Sequence, residues 1–270
     1  MRKLTIIWDF DGTILPSTPF DSEQSLLLYR MSQRPPAQRV AWILPPSAGK
    51  DRGAKCPNRC GWNRVRSIRF GKPNQRDKPF GWLKKGYAKA IMYADQRERF
   101  RKTFKKSYIR LLKGTPSSTL DEVCCNLAHK ISPADRLTLK KLKNDGYNMI
   151  VLSCGTVDLS ERILRFAGIV DCFDLIEENR FQFDEDRIAG MHLRLPDPDD
   201  KLAMMNKLNL SPERTIVVGD GYTDLPLLNW SSIPVMIDRT GKKKKGFTSN
   251  NFHFITSTPE IMNIIQETVT

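Results

Sequence analysis

Hydrophobic and polar positions alternate along this chain in two distinguishable rhythms. Leu4 to Trp8 is an unbroken apolar-leaning run that ends in Asp9. Met149 to Leu152 is a second, followed by Ser153, and Thr215 to Val218 is a third, followed by Gly219 and Asp220. Short runs of this kind, too brief for a helix, read as strands buried on both faces that deliver polar residues at their carboxyl ends. Between them the period lengthens. Ser132 and Pro133 form an N-cap and first-turn pair opening an amphipathic helix to about Asn144, closed by Gly146; Asp158 opens another that Gly168 closes. Lys201 follows the acidic turn Pro196 to Asp200 and begins a helix through Leu202, Met204, Met205 and Leu208. Strand and helix alternate, which predicts an α/β fold: a Rossmann-like parallel sheet with helices on both faces and a site outside the carboxyl ends of its strands.

The interval after the first strand has a different character. Asp21 and Gln24 suit a helix start ahead of Leu26, Leu27, Leu28 and Met31, and helical spacing returns at Ala90, Ala94, Phe100, Phe104, Tyr108 and Leu112, whose flanking Lys and Arg read as a solvated face. Residues 34–85 fit neither pattern. They carry 7 of the 17 prolines, 14 Lys and Arg, and only Asp51 and Asp77 as acids. Proline at that density defeats helices of ordinary length. Pattern, propensity and charge change together at both borders, so the stretch reads as an aberrant, out-of-frame translation or a basic insertion, irregular in either case.

Charge follows the same division. The 270 residues carry a formal charge of +14, yet residues 30–114 hold 24 Lys and Arg against 4 Asp and Glu, leaving the remainder net acidic. A basic segment with Trp42, Trp62, Phe70 and Trp82 interleaved raises nucleic acid as a partner, although no nucleic-acid motif accompanies it. No apolar run reaches the roughly 20 residues of a membrane span, which argues against a membrane partner. Six cysteines without a framework spacing fit reduced thiols in a cytoplasmic setting. Cys56 and Cys60 alone have metal-ligand spacing, and lacking a second pair they read as unliganded. Lys242 to Lys245 reads as a solvated loop. Nothing in the pattern sets an oligomeric state.

Candidate chemistry gathers at the strand ends. In Asp9-Phe10-Asp11-Gly12-Thr13 one carboxylate can attack phosphorus or bind a hard cation, and the second, two residues on, can serve as acid and base. The same string alone also suits a Ca²⁺ loop or an Asx turn. Ser153, Cys154, Gly155 and Thr156 offer a hydroxyl and backbone N–H groups to an anion, as any strand-to-helix turn does. Lys201 has the ordinary reading of a solvated first-turn lysine. Gly219 to Asp224 places two carboxylates, Asp220 and Asp224, four residues apart, where a cation would offset their repulsion.

Taken in order, DFDGT, SCGT, a helix-leading Lys and GDGYTD resemble the four motifs of the haloacid dehalogenase-like phosphohydrolases, over about 160 residues of core. The resemblance implies that Asp9 is the nucleophile forming an aspartyl-phosphate and Asp11 the general acid and base. Ser153 and Lys201 would clamp the phosphate, with Gly12, Thr13, Cys154 and Gly155 against the substrate. Mg²⁺ would be held by Asp9, the carbonyl of Asp11 and Asp220, supported by Asp224. The long interval before Ser153 places a mainly helical cap after the first strand, as in the phosphoserine phosphatase-like branch: core at 1–18 and 131–270, cap at 19–130. The expected activity is Mg²⁺-dependent hydrolysis of a small phosphorylated metabolite, with nucleic-acid binding or nucleic-acid end dephosphorylation as the rival. Phosphoserine phosphatases carry a Glu soon after the first motif that helps read the substrate amino group. Here Leu15 to Phe20 has none, and Thr223 stands where that family commonly has Asn, which argues against phosphoserine itself.

Overall fold

A computed structural model describes residues 4–17, 21–32, 101–241 and 251–269. The basic stretch 34–85, Cys56, Cys60 and Lys242 to Lys245 lie outside the described residues. Among those described, seven strands form one sheet in the order β4-β3-β2-β1-β5-β6-β7. They are β1 (Thr5–Trp8), β2 (Asn148–Thr156), β3 (Leu175–Asp184), β4 (Arg187–His192), β5 (Thr215–Gly219), β6 (Ile233–Ile237) and β7 (His253–Ile255). Every pairing is parallel except β3 with β4, an antiparallel hairpin at the edge.

Alternate residues of the central strands enter two separate cores. Ile6, Trp8, Met149, Val151, Ile216 and Val218 face one side; Ile7, Ile150, Leu152 and Val217 face the other. Burial on both faces is why these strands read as continuous apolar runs and not as an alternation. The first side is covered by α3 (Ser117–Ala128), α4 (Pro133–Asn144), α5 (Val157–Ala167) and α8 (Ile261–Val269); the second by α6 (Pro198–Lys207) and α7 (Leu225–Trp230). The helix ends follow the signals in the sequence. The Ser132 hydroxyl accepts the N–H of Asp135 at the start of α4, and Gly168 closes α5 in the left-handed conformation. Asp158, in contrast, does not cap α5; its carboxylate accepts the N–H of Phe181 at 2.8 Å and ties the helix to β3.

The described part of the insertion after β1 consists of α1 (Ser22–Ser32) and α2 (Arg101–Leu112), leading into α3. Asp21 caps α1 by accepting the N–H of Gln24 at 2.6 Å. Tyr108 and Leu112 of α2 are fully buried and join the same core as β1 and β2. The polar face expected around them is not uniformly solvated. Lys105 is 6% exposed. No helix among the described residues is long and apolar enough to cross a membrane.

Register fixes where the polar ends meet. Trp8 pairs with Val151 on one side and Val218 on the other. Asp9 is therefore level with Leu152 and Gly219, and Ser153 and Asp220 follow one residue further along their strands. The Asp9 N–H donates to Val218 O at 2.9 Å and extends the ladder one residue into the loop.

Candidate active site

A cavity of about 330 Å³ opens above these strand ends. Asp9, Asp11, Ser153, Cys154, Gly155, Lys201 and Asp220 all line it, joined by Glu23 and Lys105 from the insertion. Thr13 and Asp224 lie beneath the surface, buried and not lining. Gly12 has φ +89°, which L side chains rarely adopt, and a Cβ there would stand 2.2 Å from Asp220 Oδ2. Glycine lets the DFDGT loop press against the β5 loop and bring Asp220 next to Asp9.

Lys201 is 1% exposed, so the solvated first-turn reading is wrong. The Pro196 to Asp200 turn aims it inward: Asp197 and Asp200 form a reciprocal capping box that starts α6. Its ammonium donates to Asp9 Oδ1 at 2.8 Å and Asp224 Oδ1 at 2.7 Å. The other oxygen of Asp224 accepts the N–H groups of Asp220 and Gly221 at 3.0 and 3.2 Å. Asp224 thereby shapes the β5 loop while sharing a cation with Asp9.

Burial dominates the electrostatics. It raises the Asp9 carboxyl from 3.8 to about 8, with Asp224 and Asp220 adding repulsion and Lys201 opposing. Asp11 is raised to about 6, again mainly by burial, against two hydrogen bonds from Ser22 that lower it. Carboxylates held this unfavourably invite a cation. One oxygen each from Asp9, Asp220 and Asp224 lies within 4.8 Å of the others. The donors are all hard oxygens, the set that Mg²⁺ or Ca²⁺ takes. Because both Asp224 oxygens are already engaged, Asp9 and Asp220 are the better placed direct ligands.

The second strand end is braced from behind. Asn179 on β3 donates to Cys154 O and Gly155 O at 2.8 and 3.1 Å, and its carbonyl accepts Arg194 and Leu195 N–H at 2.9 and 3.0 Å. One buried side chain thus aligns the Ser153 loop with the segment leading to Lys201. The Ser153 hydroxyl accepts Gly155 N–H at 3.2 Å. The Cys154 thiol is pushed up to about 11, principally by burial, which disfavours a reactive thiolate. On the far side, Arg239 donates to Thr13 O at 2.7 Å and anchors the DFDGT loop to Asp135 and Thr258.

Three acidic or basic contributors escaped the sequence. Leu15 to Phe20 holds no Glu, but Glu23 lies just beyond it on α1, buried, with Lys105 donating to both its oxygens at 2.7 Å and Thr156 to one at 2.6 Å. Lys105 also donates to Cys154 O at 3.0 Å, which joins the insertion to the β2 loop. Glu178, on β3, is 2% exposed with neither oxygen in a hydrogen bond of good geometry.

Comparison with known proteins places this geometry in a family. A family model described as haloacid dehalogenase-like hydrolase matches residues 4–231. The chain belongs to the haloacid dehalogenase-like hydrolases. Curated relatives within reach of this family include phosphoserine phosphatases of Lactococcus lactis, 31% identical over 134 residues that cover 47% of this chain and 58% of the relative, and of Archaeoglobus fulgidus, 26% identical over 138 residues covering 49% and 36%. The chain thus spans about half the length of the curated relatives it matches. Among solved structures, a phospho-aspartyl intermediate analogue of phosphoserine phosphatase superposes with TM-score 0.60 at 16% identity, covering 99% of both chains. A hydrolase of the same family from Salmonella enterica gives TM-score 0.61 at 17% identity over 98% of this chain and 72% of its own. Such likeness shows the haloacid dehalogenase-like fold, here reached by the α/β sheet order itself.

Proposed function

We propose that this chain is a phosphatase that hydrolyses a small phosphomonoester in a Mg²⁺-dependent reaction through an aspartyl-phosphate on Asp9. The observation that carries the reading is the convergence of Asp9, Ser153, Lys201 and Asp220, from four separate stretches of sequence, on one cavity with Lys201 bonded to Asp9. The phosphoserine phosphatase relatives support phosphomonoester chemistry on this scaffold.

A carboxylate oxygen of Asp9 attacks phosphorus and the bond to the leaving oxygen breaks, with its proton supplied by Asp11. Asp11 then takes a proton from the water that attacks the aspartyl-phosphate, which releases phosphate and restores Asp9. Its carboxyl, raised to about 6, sits where both protonation states are accessible near neutrality. The Ser153 hydroxyl and the Lys201 ammonium hold phosphate oxygens, and Gly12, Thr13, Cys154 and Gly155 shape the backbone around them. Mg²⁺, held by Asp9, Asp220 and the Asp11 carbonyl with Asp224 in support, would supply neutralisation of phosphoryl charge. In this reading residues 19–130 form the cap and the reaction belongs to the cytoplasm.

Asp9→Asn tests the reading, since a carboxamide cannot form the aspartyl-phosphate. The variant should fold and release no phosphate from p-nitrophenyl phosphate, and EDTA should silence the wild type. Wild-type turnover by Asp9→Asn would exclude the covalent route.

A further inference from the structure

The Ser153 loop interrupts the sheet. β2 and β3 pair in step from Ile150 with Leu175 to Leu152 with Glu177, and next at Thr156 with Asn179, so Ser153, Cys154 and Gly155 stand opposite the single residue Glu178. Bulges are uncommon between parallel strands, and the extra residues lose their ladder partners. Carbonyls freed in this way within a buried sheet need donors from elsewhere.

Asn179 supplies them. It is 0% exposed and lies on β3, although asparagine is disfavoured in strands. Its amide nitrogen stands 2.8 Å from Cys154 O, 3.1 Å from Gly155 O and 3.2 Å from Leu195 O, while its oxygen accepts the N–H groups of Arg194 and Leu195 at 2.9 and 3.0 Å. The amide's N–H donors meet carbonyls and its lone pairs meet N–H groups, so its capacity is filled and its partners set its orientation.

The consequences reach both proposed phosphate ligands. The planar peptide that carries Cys154 O carries the Gly155 N–H on its opposite edge, and that N–H donates to Ser153 Oγ at 3.2 Å. Fixing the carbonyl therefore aims the hydroxyl. On the other side, Arg194 and Leu195 run directly into the Pro196 to Asp200 turn, whose capping box starts α6 and carries Lys201 inward. Asn179 itself does not line the cavity.

We infer that Asn179 is the positioning residue of the phosphate clamp: without touching substrate, it holds Ser153 and Lys201 in one fixed relation and makes the two act as a unit. This rests on the phosphatase reading and names what keeps its two phosphate ligands in register.

The test replaces Asn179 with Asp, an isostere whose ionised carboxylate would face three carbonyls with no proton to give, and with Thr, which suits a strand and keeps one hydroxyl donor. The Thr variant carries the test if the Asp variant does not fold. In the folded variant, kcat/KM for p-nitrophenyl phosphate with Mg²⁺ should fall by about a hundredfold. Inorganic phosphate, read by competitive inhibition and by calorimetry, should bind about tenfold more weakly. Mg²⁺ affinity and the pH–rate profile should stay at wild-type values, because Asp9, Asp11 and Asp220 keep their places; a general loosening of the fold would move these too. With Ser153→Ala already in place, the same substitution should cost about fivefold less, since half of the clamp it aligns is gone. Unchanged phosphate affinity, equal losses in the two backgrounds, or a parallel fall in Mg²⁺ affinity would overturn the inference and leave the phosphatase standing. A wild type that binds phosphate yet releases none from p-nitrophenyl phosphate would end the phosphatase reading, and weaker phosphate binding by the variant would still support the clamp.

Discussion

Asp11 accepts two hydrogen bonds from one residue, Ser22: the backbone N–H donates to Oδ1 at 2.8 Å and the hydroxyl to Oδ2 at 2.7 Å. The proposed proton donor is thus held by the first turn of the insertion. Both bonds favour its ionised form. In Ser22→Ala one is lost, so Asp11 should keep its proton to higher pH. The alkaline limb of the pH–rate profile should move upward while kcat falls, by roughly tenfold if the hydroxyl also orients the acid. An unmoved limb would show that Asp11 does not set it.

Lys201 offers a stability test. Replacing it with Met leaves Asp9 and Asp224 buried and facing each other without their shared cation. Breaking a buried pair from one side costs about 3–5 kcal/mol. Urea unfolding of Lys201→Met without metal should show a loss of that order, with phosphatase activity gone. A loss below about 1 kcal/mol, the range of surface pairs, would contradict the bridging role.

Gly12→Ala should disable the site by geometry alone. The added Cβ would overlap the Asp220 carboxylate at a backbone angle alanine resists. Mg²⁺ affinity, read by calorimetry or by metal-dependent thermal shift, should fall together with activity. Retained affinity would mean that Asp220 can step aside and still bind metal.

The metal-free protein should be most stable in acid within its folded range. Asp9 and Asp11 are raised to about 8 and about 6 from 3.8, mainly by burial, so the folded state binds their protons more tightly than the unfolded chain does. That contribution is complete below the unfolded value and is lost as pH rises through the two folded values. The metal-free Tm should therefore decline between about pH 4 and about pH 8, and added Mg²⁺ should recover most at the upper end. A flat profile in EDTA would refute the electrostatic account.

The three central strands and their acid ends were readable because each strand is buried on both faces and stops at a polar residue. The helices at Ser132 and Gly168 were readable because cap chemistry is local. Glu23, Lys105 and Glu178 were not. Glu23 has the sequence of an ordinary first-turn acid, and Lys105 sits in a run of cations, so only the packing of α1 and α2 over the β2 loop distinguishes them. Glu178 lies on a strand that alternates irregularly, where no local pattern says which face holds the acid. Lys201 shows the same limit from the other side. Its position could be compared with a family motif, but its burial depends on the capping turn before it.

The insertion also closes the sheet at β4. Gly114 N–H donates to Ile188 O at 2.7 Å, Ile188 N–H to Thr115 O at 2.9 Å, and Ser117 N–H to Asp186 O at 2.9 Å, so the backbone groups that β4 would present outward along this stretch are occupied by its own chain. An exposed edge strand is a template for another chain to pair with and aggregate. Here the connection between α2 and α3 acts as a built-in stopper. Shortening the insertion across Gly114 to Ser117 would cost more than the architecture of the candidate site, since it would turn this side of the sheet adhesive.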